Sequence, residues 1–509
     1  MKKAKAITAI LLSLAILFSF ASLNVIAEDK NDYPVILVPG RGVNDVMLDA
    51  QGNQILPVKI PAADYFIKAF FASAPKWDNG MVTGNFKPWV DTVMEYFAPV
   101  YANVIPDKNG EITDSSGPVY VSGYGNQLWG DANFDYCFKY DWRRDPCESA
   151  DRLNEYIKQI KEAENCEKVS VVGRCYGANV VSAYLYEYGH DDIDTAVYYC
   201  AVAKGCGIPS HCFGADVKIN IDTLADFVEY TKLFDDPVIS EFVKAFVSWL
   251  DSVYGLNLPC GAINLLVNKA YPIIAPDILR ASFGTFPSFW AMVSDKYYED
   301  AKEFVFSGCE DEYAGLIEKT DHYHYDIQKN LEDMLIRYKS EGMNLCVVSK
   351  YNGVFAPVFE HSDIQSDDTV EVELSSFGAF CADYGKTLDA EYLENTDSRY
   401  ISSDCVIDAS KCTFADCTWF IKDIEHGYFP VSIDVMLNAM CDYDGQMTVD
   451  SNADYPRFMK YDKESQTISP LTDMPQKQTS VIDKISEFFG KFIRLIKAAY
   501  TLVVSNLNK

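Results

Sequence analysis

The strongest constraint on the fold is a five-residue turn, Gly173-Arg174-Cys175-Tyr176-Gly177. The β-branched run Val169–Val172 precedes the turn, and helical apolar spacing begins at Asn179. A strand that passes into a helix so abruptly strains the central residue, and glycines two positions before and after it avoid a clash. The turn therefore predicts a strand–turn–helix unit that exposes Cys175 at the edge of a parallel sheet.

Other segments extend this unit into a larger sheet. Short β-branched runs bounded by turn residues alternate with helical patterns, which favours a mostly parallel central sheet flanked by helices. The further strand candidates are Val35–Val38, Cys137–Tyr140, Ala196–Ala203, Leu345–Ser349 and Thr418–Ile421, and the helix candidates are Ala150–Lys161 and Asn179–Tyr188. The sequence thus predicts a chain of the α/β class.

Two segments interrupt this alternation and are expected to be insertions into one domain that spans residues 28–461. Residues 206–339 are mostly helical in pattern and contain apolar stretches too long for a solvated surface. We expect them to form a cap or lid over the carboxyl edge of the sheet. Residues 377–416 are acidic and rich in cysteine.

The first residues have the pattern of a secretory signal. Three lysines precede an apolar run from Ile7 to Ala21, and small residues stand at the positions before a cleavage point after Ala27. This predicts a signal peptide at 1–27 and a secreted, extracellular protein. The alternative is an uncleaved anchor helix, for which the run is short, since a span needs roughly 20 apolar residues.

The last residues differ from the rest in charge. A polar linker is predicted at 462–480, and residues 481–509 hold five basic and two acidic side chains in a protein of net charge −30. Apolar and basic residues interleave along Val481–Val504, which is typical of an amphipathic helix that lies on an anionic membrane surface. Docking of this helix on its own domain is the alternative.

The charge of the chain and the spacing of its cysteines argue against a nucleic-acid-binding protein and against a zinc-binding one. With 44 basic and 74 acidic side chains, the surface repels phosphate backbones, so no nucleic-acid partner is expected. The fifteen cysteines are an odd number, which leaves at least one thiol outside any pairing within the chain. Cys206, His211 and Cys212 lack the paired spacing of zinc motifs, and no metal or cofactor is predicted.

A nucleophile on such a turn requires a base, which in this type of fold follows the nucleophile and an acid in chain order. His426 alone satisfies that order, because it comes directly after the last predicted strand. The other five histidines end the helix after the turn, fall in the cap or precede the acid: His190, His211, His322, His324 and His361. His426 is therefore the predicted base.

The acid is expected in the loop after the strand Leu345–Ser349. Asp367 is preferred over Asp368 and Asp363 because of its order and the Thr-Val that follows the aspartate pair. The oxyanion that forms during acyl transfer needs two backbone N–H donors. Tyr176, after the nucleophile, is the first candidate, and Arg41, in the loop after Val35–Val38, is the second.

Together these residues resemble the lecithin:cholesterol acyltransferase-like family of α/β-hydrolases, which includes phospholipid acyltransferases and lysosomal-type phospholipases. The most distinctive match is Tyr140-Asp141-Trp142-Arg143, and the others are Pro34–Gly40, Ser282–Pro287, Asp367–Val370 and His426. The family has Gly-His-Ser-x-Gly where this chain has Arg174-Cys175, so its serine is replaced by a thiol. The resemblance implies an α/β-hydrolase fold, a Cys175–Asp367–His426 triad and acyl-ester substrates.

The predicted function is therefore a secreted lipid acyltransferase or esterase that forms an acyl-enzyme on Cys175. A thiolate beside an imidazole is a strong nucleophile, and the helix N-terminus favours its charge. The alternative is a catalytically inactive surface protein that keeps the fold as a binding scaffold. A redox-sensitive structural protein is a third reading, which rests on cysteine number alone.

Overall fold

The computed structural model of the chain describes residues 33–40, 47–48, 53–56, 63–112, 133–220, 223, 226–227, 230–231 and 260–475. The predicted signal peptide at 1–27, the oxyanion candidate Arg41 and the predicted helix Val481–Val504 lie outside these residues. Among the described helices, none is both long and apolar enough to span a membrane.

An eight-stranded sheet forms the centre of the molecule. In chain order its strands are β1 (Val35–Val38), β4 (Tyr136–Cys137), β5 (Val169–Arg174), β6 (Ile193–Tyr199), β7 (Asn344–Tyr351), β10 (Thr418–Lys422), β11 (Phe458–Asp462) and β12 (Thr467–Pro470). Their spatial order is β12-β11-β10-β7-β6-β5-β1-β4, and only the β11–β12 pair is antiparallel. Two small antiparallel pairs lie outside this sheet, β2 (Met47–Leu48) with β3 (Gln54–Leu56) and β8 (Phe380–Cys381) with β9 (Ile407–Asp408).

Helices connect the parallel strands. They are α1 (Ala63–Thr83), α2 (Lys87–Tyr101), α3 (Pro146–Glu164), α4 (Gly177–Tyr188), α5 (Gly207–Phe213), α6 (Cys260–Arg280), α7 (Pro287–Trp290), α8 (Asp295–Phe306), α9 (Ala314–Asp321), α10 (Leu331–Ser340), α11 (Val372–Ser375), α12 (Ala390–Glu394) and α13 (Val431–Cys441). A π-helix, His322–Gln328, continues α9. The chain is thus an α/β protein with a mostly parallel sheet, as its sequence predicts.

Helices cover both faces of the sheet. The hydroxyl groups of Tyr198 on β6 and Ser182 on α4 are 3.1 Å apart. On the opposite face, Arg174 at the end of β5 pairs with Asp434 on α13 at 2.7 Å. Consecutive strand residues point to opposite faces of a sheet, and paired residues on neighbouring strands point to the same face. Arg174 pairs with Tyr199, so its side chain lies on the face opposite to that of Tyr198. This double cover explains why every residue of β5 and β7 is buried.

Most predicted strands occur where expected, with shifts at their ends. The segment predicted at Cys137–Tyr140 forms a strand at Tyr136–Cys137, and the one predicted at Ala196–Ala203 forms Ile193–Tyr199. The second shift has a backbone cause, because Cys200 takes a positive φ of 41° that ends the strand.

The sheet also continues past the expected end of the domain at residue 461. Strand β12 lies inside the predicted linker 462–480 and pairs with β11 as an antiparallel hairpin. The residues of β12 are mostly exposed, as suits an edge strand. For that reason its sequence, Thr-Ile-Ser-Pro, lacks the apolar run that identified the interior strands.

The two predicted insertions occupy the connections between sheet strands. Residues 206–339 lie between β6 and β7, and in the described part their helices bury a cluster of their own that includes Phe213, Trp290, Tyr298, Val305 and Leu316. Residues 377–416 lie between β7 and β10 and contain β8, α12 and β9. Their buried residues, such as Ile407 and Cys412, pack with Phe420 of β10.

Candidate active site

The turn at Cys175 has the strained geometry that its glycine pattern predicts. Strand β5 ends at Arg174, helix α4 begins at Gly177, and Cys175 between them has a positive φ of 54°. Its backbone N–H donates to the carbonyl of Tyr199 at 3.0 Å, which holds the turn to the end of β6. A non-glycine residue in this region is strained, and such strain concentrates at functional sites.

Close packing explains the glycines around this turn. A Cβ on Gly177 would lie 2.0 Å from the carbonyl oxygen of Val38, and one on Gly173 would lie 2.8 Å from the Cα of Ala178. A third glycine, Gly40 in the loop after β1, faces the turn, since its Cβ would lie 2.6 Å from the Cβ of Cys175. The loop that precedes Arg41 therefore passes directly against the candidate nucleophile.

The structure brings His426 and Asp367 together. Nδ1 of His426 lies 2.7 Å from Oδ2 of Asp367, and the backbone N–H of His426 donates to the carbonyl of Asp367 at 2.8 Å. The other carboxylate oxygen, Oδ1, accepts from the N–H groups of Val370 at 2.8 Å and Thr369 at 3.2 Å. Both side chains are buried, so the carboxylate is fixed and the imidazole is oriented by it.

Neither of the other acid candidates contacts His426 in this way. Asp368 accepts hydrogen bonds from the hydroxyl groups of Thr369 at 2.7 Å and Tyr230 at 3.1 Å. Asp363 lies 3.6 Å from the ammonium of Lys386. The order of preference among the three aspartates thus agrees with the geometry.

The protonation of His426 is coupled to two thiols. Burial alone would lower its pKa, but the charges of Asp367, Cys175 and Cys200 outweigh that effect and raise the pKa well above its usual value. The second ring nitrogen, Nε2, is buried and has no hydrogen-bond partner among the described residues. Since Nδ1 is engaged by Asp367, Nε2 is the atom through which His426 can exchange a proton with a thiol.

Cys200 is a site residue that the sequence analysis did not identify. Cys200 comes directly after Tyr199 of β6, just as Cys175 comes directly after Arg174, the residue that pairs with Tyr199. The Cys200 thiol, His426 and Asp367 offer ligand atoms within 4.8 Å of one another. Its side chain is fully buried, and burial raises the pKa of this thiol. The position at the carboxyl end of a parallel strand was a usable signal, because such ends meet at one edge of the sheet.

Lys350 was also missed, because a lysine within a strand reads as an exposed residue. On β7 its ammonium is buried and donates to three backbone carbonyls of the loop that carries the histidine, those of Glu425 at 2.9 Å, His426 at 3.0 Å and Tyr428 at 3.1 Å. Burial lowers the pKa of Lys350. The ammonium also lies 4.6 Å from the ring centre of Phe429.

Arg174 also contacts the ring of Phe429. Its guanidinium lies 4.1 Å from the ring centre of Phe429 and pairs with Asp434, whose second oxygen accepts from Asn133 at 2.9 Å. Arg174, the residue before Cys175, therefore forms a buried ion pair next to the candidate site. One phenyl ring links the turn of Cys175 to the loop of His426.

The Tyr-Asp-Trp-Arg segment supports the loop beside Cys175. The hydroxyl of Tyr140 donates to the carbonyl of Pro39 at 2.6 Å, and Arg143 pairs with Asp141 at 2.8 Å in a buried position. Trp142 stacks on Phe286 with ring centres 5.9 Å apart. The Tyr-Asp-Trp-Arg segment thus contacts two other segments that carry the family resemblance, Pro34–Gly40 and Ser282–Pro287, and it positions the loop before Arg41.

The two oxyanion candidates differ in what can be described. Tyr176 stands at the start of α4, directly after Cys175, and its ring is buried with its hydroxyl 3.3 Å from the carbonyl of Arg144. Its backbone N–H as an oxyanion donor stays a prediction. Arg41 lies outside the described residues, one position beyond Gly40.

The metal candidate that the sequence disfavoured does not assemble. His211 contacts Asp216 at 3.0 Å, and the thiol of Cys206 donates to the carbonyl of Thr369 at 3.6 Å. Cys206, His211 and Cys212 are not among the groups of convergent ligand atoms within the described ranges.

Comparisons with known proteins add little to this geometry. No family model matches the chain, and no curated protein matches it. One solved structure, the crystal structure of a Tle4–Tli4 complex, contains a chain that is 14% identical with a TM-score of 0.19. The match covers 36% of this chain and 48% of that chain, so about half the length of the neighbour is spanned.

Proposed function

We propose that this chain is a secreted acyl-ester enzyme with an α/β-hydrolase fold, in which Cys175 is the nucleophile, His426 the base and Asp367 the residue that orients the base. The observation that carries the proposal is the buried 2.7 Å contact of His426 Nδ1 with Asp367 Oδ2 beside a strained cysteine. Nucleophile, base and orienting acid are the minimum set for covalent acyl transfer.

The charges of the site favour a reactive thiol. The raised pKa of His426 means that its ring accepts a proton readily, and Cys175 contributes to that shift. Proton transfer from Cys175 to Nε2 gives a thiolate and an imidazolium, which Asp367 stabilises. A thiolate at the N-terminus of α4 also gains from the helix dipole.

The reaction then follows in two halves. The thiolate forms a bond to the ester carbonyl carbon, and the oxyanion accepts from the N–H of Tyr176 and from the predicted second donor, Arg41. When the C–O bond breaks, the alkoxide takes the proton from His426 and leaves an acyl thioester on Cys175. A water, alcohol or amine then gives its proton to His426, attacks the thioester and releases the acyl product with the thiolate restored.

The substrate class proposed is a lipid or another apolar acyl ester. The family resemblance and the apolar cap between β6 and β7 both support it. Contact with an anionic membrane surface through Val481–Val504 belongs to the same proposal, since it would bring the enzyme to lipid substrates.

The test is covalent labelling by an activated acyl ester. The full secreted protein is treated with a chromogenic acyl ester and then with a fluorescent acyl probe, and the labelled residue is mapped by mass spectrometry. Acylation of Cys175 that is lost in His426→Ala supports the proposal. His190→Ala is the matched control, because His190 follows the end of α4 that is opposite to Cys175 and pairs with Glu341 at 2.8 Å.

Two results would contradict the enzyme. Acylation of Cys175 at an equal rate in wild type and His426→Ala would show a reactive thiol without a base. Absence of any acylation in a folded protein would favour the binding scaffold instead.

A further inference from the structure

A second group of ligating side chains lies apart from the candidate active site. Cys147 is in the first turn of α3, Glu187 is near the end of α4, and His322 begins the π-helix. Each offers one ligand atom, and the three atoms lie within 4.8 Å of one another. In the part of the chain that is described, the one other group of this kind is Cys200, Asp367 and His426.

The contacts of His322 require more than a neutral imidazole. Its Nδ1 lies 2.8 Å from Asp326 Oδ2, and its Nε2 lies 3.0 Å from Glu187 Oε1. A neutral ring carries one N–H and can donate to only one of these carboxylates. A cation between Nε2 and Glu187 would satisfy both contacts, as would a second proton on the ring.

Cys147 decides between a proton and a metal ion. The thiol adds nothing to the hydrogen bonds of a protonated imidazole, whereas zinc binds sulfur, nitrogen and carboxylate ligands at bond lengths of about 2.0–2.3 Å. The three atoms lie within 4.8 Å of one another, close enough for one ion to bind all of them.

The surrounding charge also favours a cation. Asp145 accepts from the backbone N–H of Cys147 at 3.1 Å, and the Glu187 carboxylate offers an oxygen within 4.8 Å of the Cys147 thiol. The same carboxylates produce a negative potential at the site. A divalent ion would be attracted by that potential and would displace the protons of the thiol and of Nε2.

Asp326 completes the pattern of a metal-bound histidine. Such a histidine almost always donates its other ring N–H to a carboxylate or carbonyl, which fixes the ring. Here the partner lies four residues along the same π-helix, and π-helical turns frequently occur at functional sites.

We infer that the chain binds one zinc ion through Cys147 Sγ, His322 Nε2 and the Glu187 carboxylate, with water as the fourth ligand. The ion would tie the start of α3 and the end of α4 to the π-helix, which is the boundary between the sheet and the cap. Cys147 and His322 are half-buried and Glu187 is exposed, so the site is open to solvent and to the ion. This inference is independent of the proposed function.

The test is a cobalt titration of the full chain after removal of metals with a chelator. Cobalt bound to a thiolate gives a charge-transfer band in the near ultraviolet and tetrahedral bands in the visible. We expect one equivalent with these bands in the wild type and their loss in Cys147→Ala and in His322→Ala. His190→Ala alters a histidine–carboxylate pair that belongs to neither of the two clusters of ligating side chains. This variant should bind cobalt as the wild type does.

A graded variant keeps the test independent of folding defects. Asp326→Asn changes a carboxylate that is 51% exposed, so we expect the fold to be preserved. It should weaken cobalt and zinc binding about 10–100-fold, because the ring loses its orienting partner. Zinc should also raise the melting temperature of the wild type but not of Cys147→Ala.

Three results would overturn the site. One is a thiolate band of equal strength in Cys147→Ala. Another is a band that persists in His322→Ala but disappears in Cys200→Ala, which would place the ion beside His426. The third is absence of a thiolate band at millimolar cobalt in the folded wild type.

Discussion

Replacement of Lys350 by methionine should release the loop that carries His426. The ammonium donates to the carbonyls of Glu425, His426 and Tyr428 at 2.9–3.1 Å. Methionine has a similar length and no donor, so three carbonyl groups lose their partner in a largely buried position. Because the two side chains are similar in size, the substitution changes the volume of the core little.

The magnitude follows from two opposing effects. A buried acceptor left without its donor costs about 1–3 kcal/mol. Removal of the ammonium also relieves its desolvation, the effect that lowers the pKa of Lys350. Since the three losses are not additive and are partly offset, we expect the free energy of unfolding to fall by about 2–4 kcal/mol.

Reactivity should fall for a separate reason. The site needs Nε2 of His426 within reach of the thiol, and a misplacement of about 1 Å can cost about 100-fold in rate. Lys350→Met should therefore acylate Cys175 about 10–100-fold more slowly than the wild type, even under conditions where it is fully folded.

Urea unfolding and acylation kinetics together check this reasoning. Lys460→Met is the matched control, because Lys460 is on β11, next to the edge strand β12, with 37% of its side chain exposed, and pairs with Asp473 at 3.0 Å. An exposed pair of this type contributes about 0–1 kcal/mol. Equal stability and equal acylation rates for the two variants would refute the role assigned to Lys350.

The other predictions concern the triad and its turn. Asp367→Asn should lower the acylation rate about 10⁴-fold, measured by probe labelling, with the fold retained; an unchanged rate would exclude Asp367 as the orienting acid. Gly177→Ala should yield insoluble protein, since its Cβ would lie 2.0 Å from the oxygen of Val38, whereas soluble expression at wild-type level would contradict that packing. Because the folded pKa of His426 is raised, the stability from its protonated form is fully present below about pH 6.5 and is lost as pH rises through the folded pKa. His426→Gln should remove that pH dependence from urea unfolding curves, and the same slope in both proteins would show that another group causes it.

Local features of the sequence pointed to most residues of the candidate site. The turn at Cys175 could be identified because its strand, its glycines and its helix are adjacent in the chain. His426 followed from chain order, and Asp367 from its motif. Each depended on a short segment or on the order of a few rare residues, which a single sequence displays directly.

Long-range packing explains what was missed. Lys350 is separated from the loop it holds by more than seventy residues, and only the tertiary structure shows that its ammonium is buried. Cys200 was missed because its place beside His426 depends on the pairing of β5 with β6, which a single sequence does not display. Strand β12 was missed because an edge strand does not require an apolar sequence.

The anchoring of His426 has a consequence for the chain between β7 and β10. Lys350 and Asp367 fix the histidine from the sheet and from the loop after β7, so its position does not depend on the path that the intervening residues take. The exposed residues of the segment 377–416 can therefore vary in number or type at the modest entropic cost of loop closure, whereas its buried residues, such as Ile407 and Cys412, must keep their packing against Phe420. That connection is a place where new surface can be added to the molecule without disturbing the residues beside Cys175.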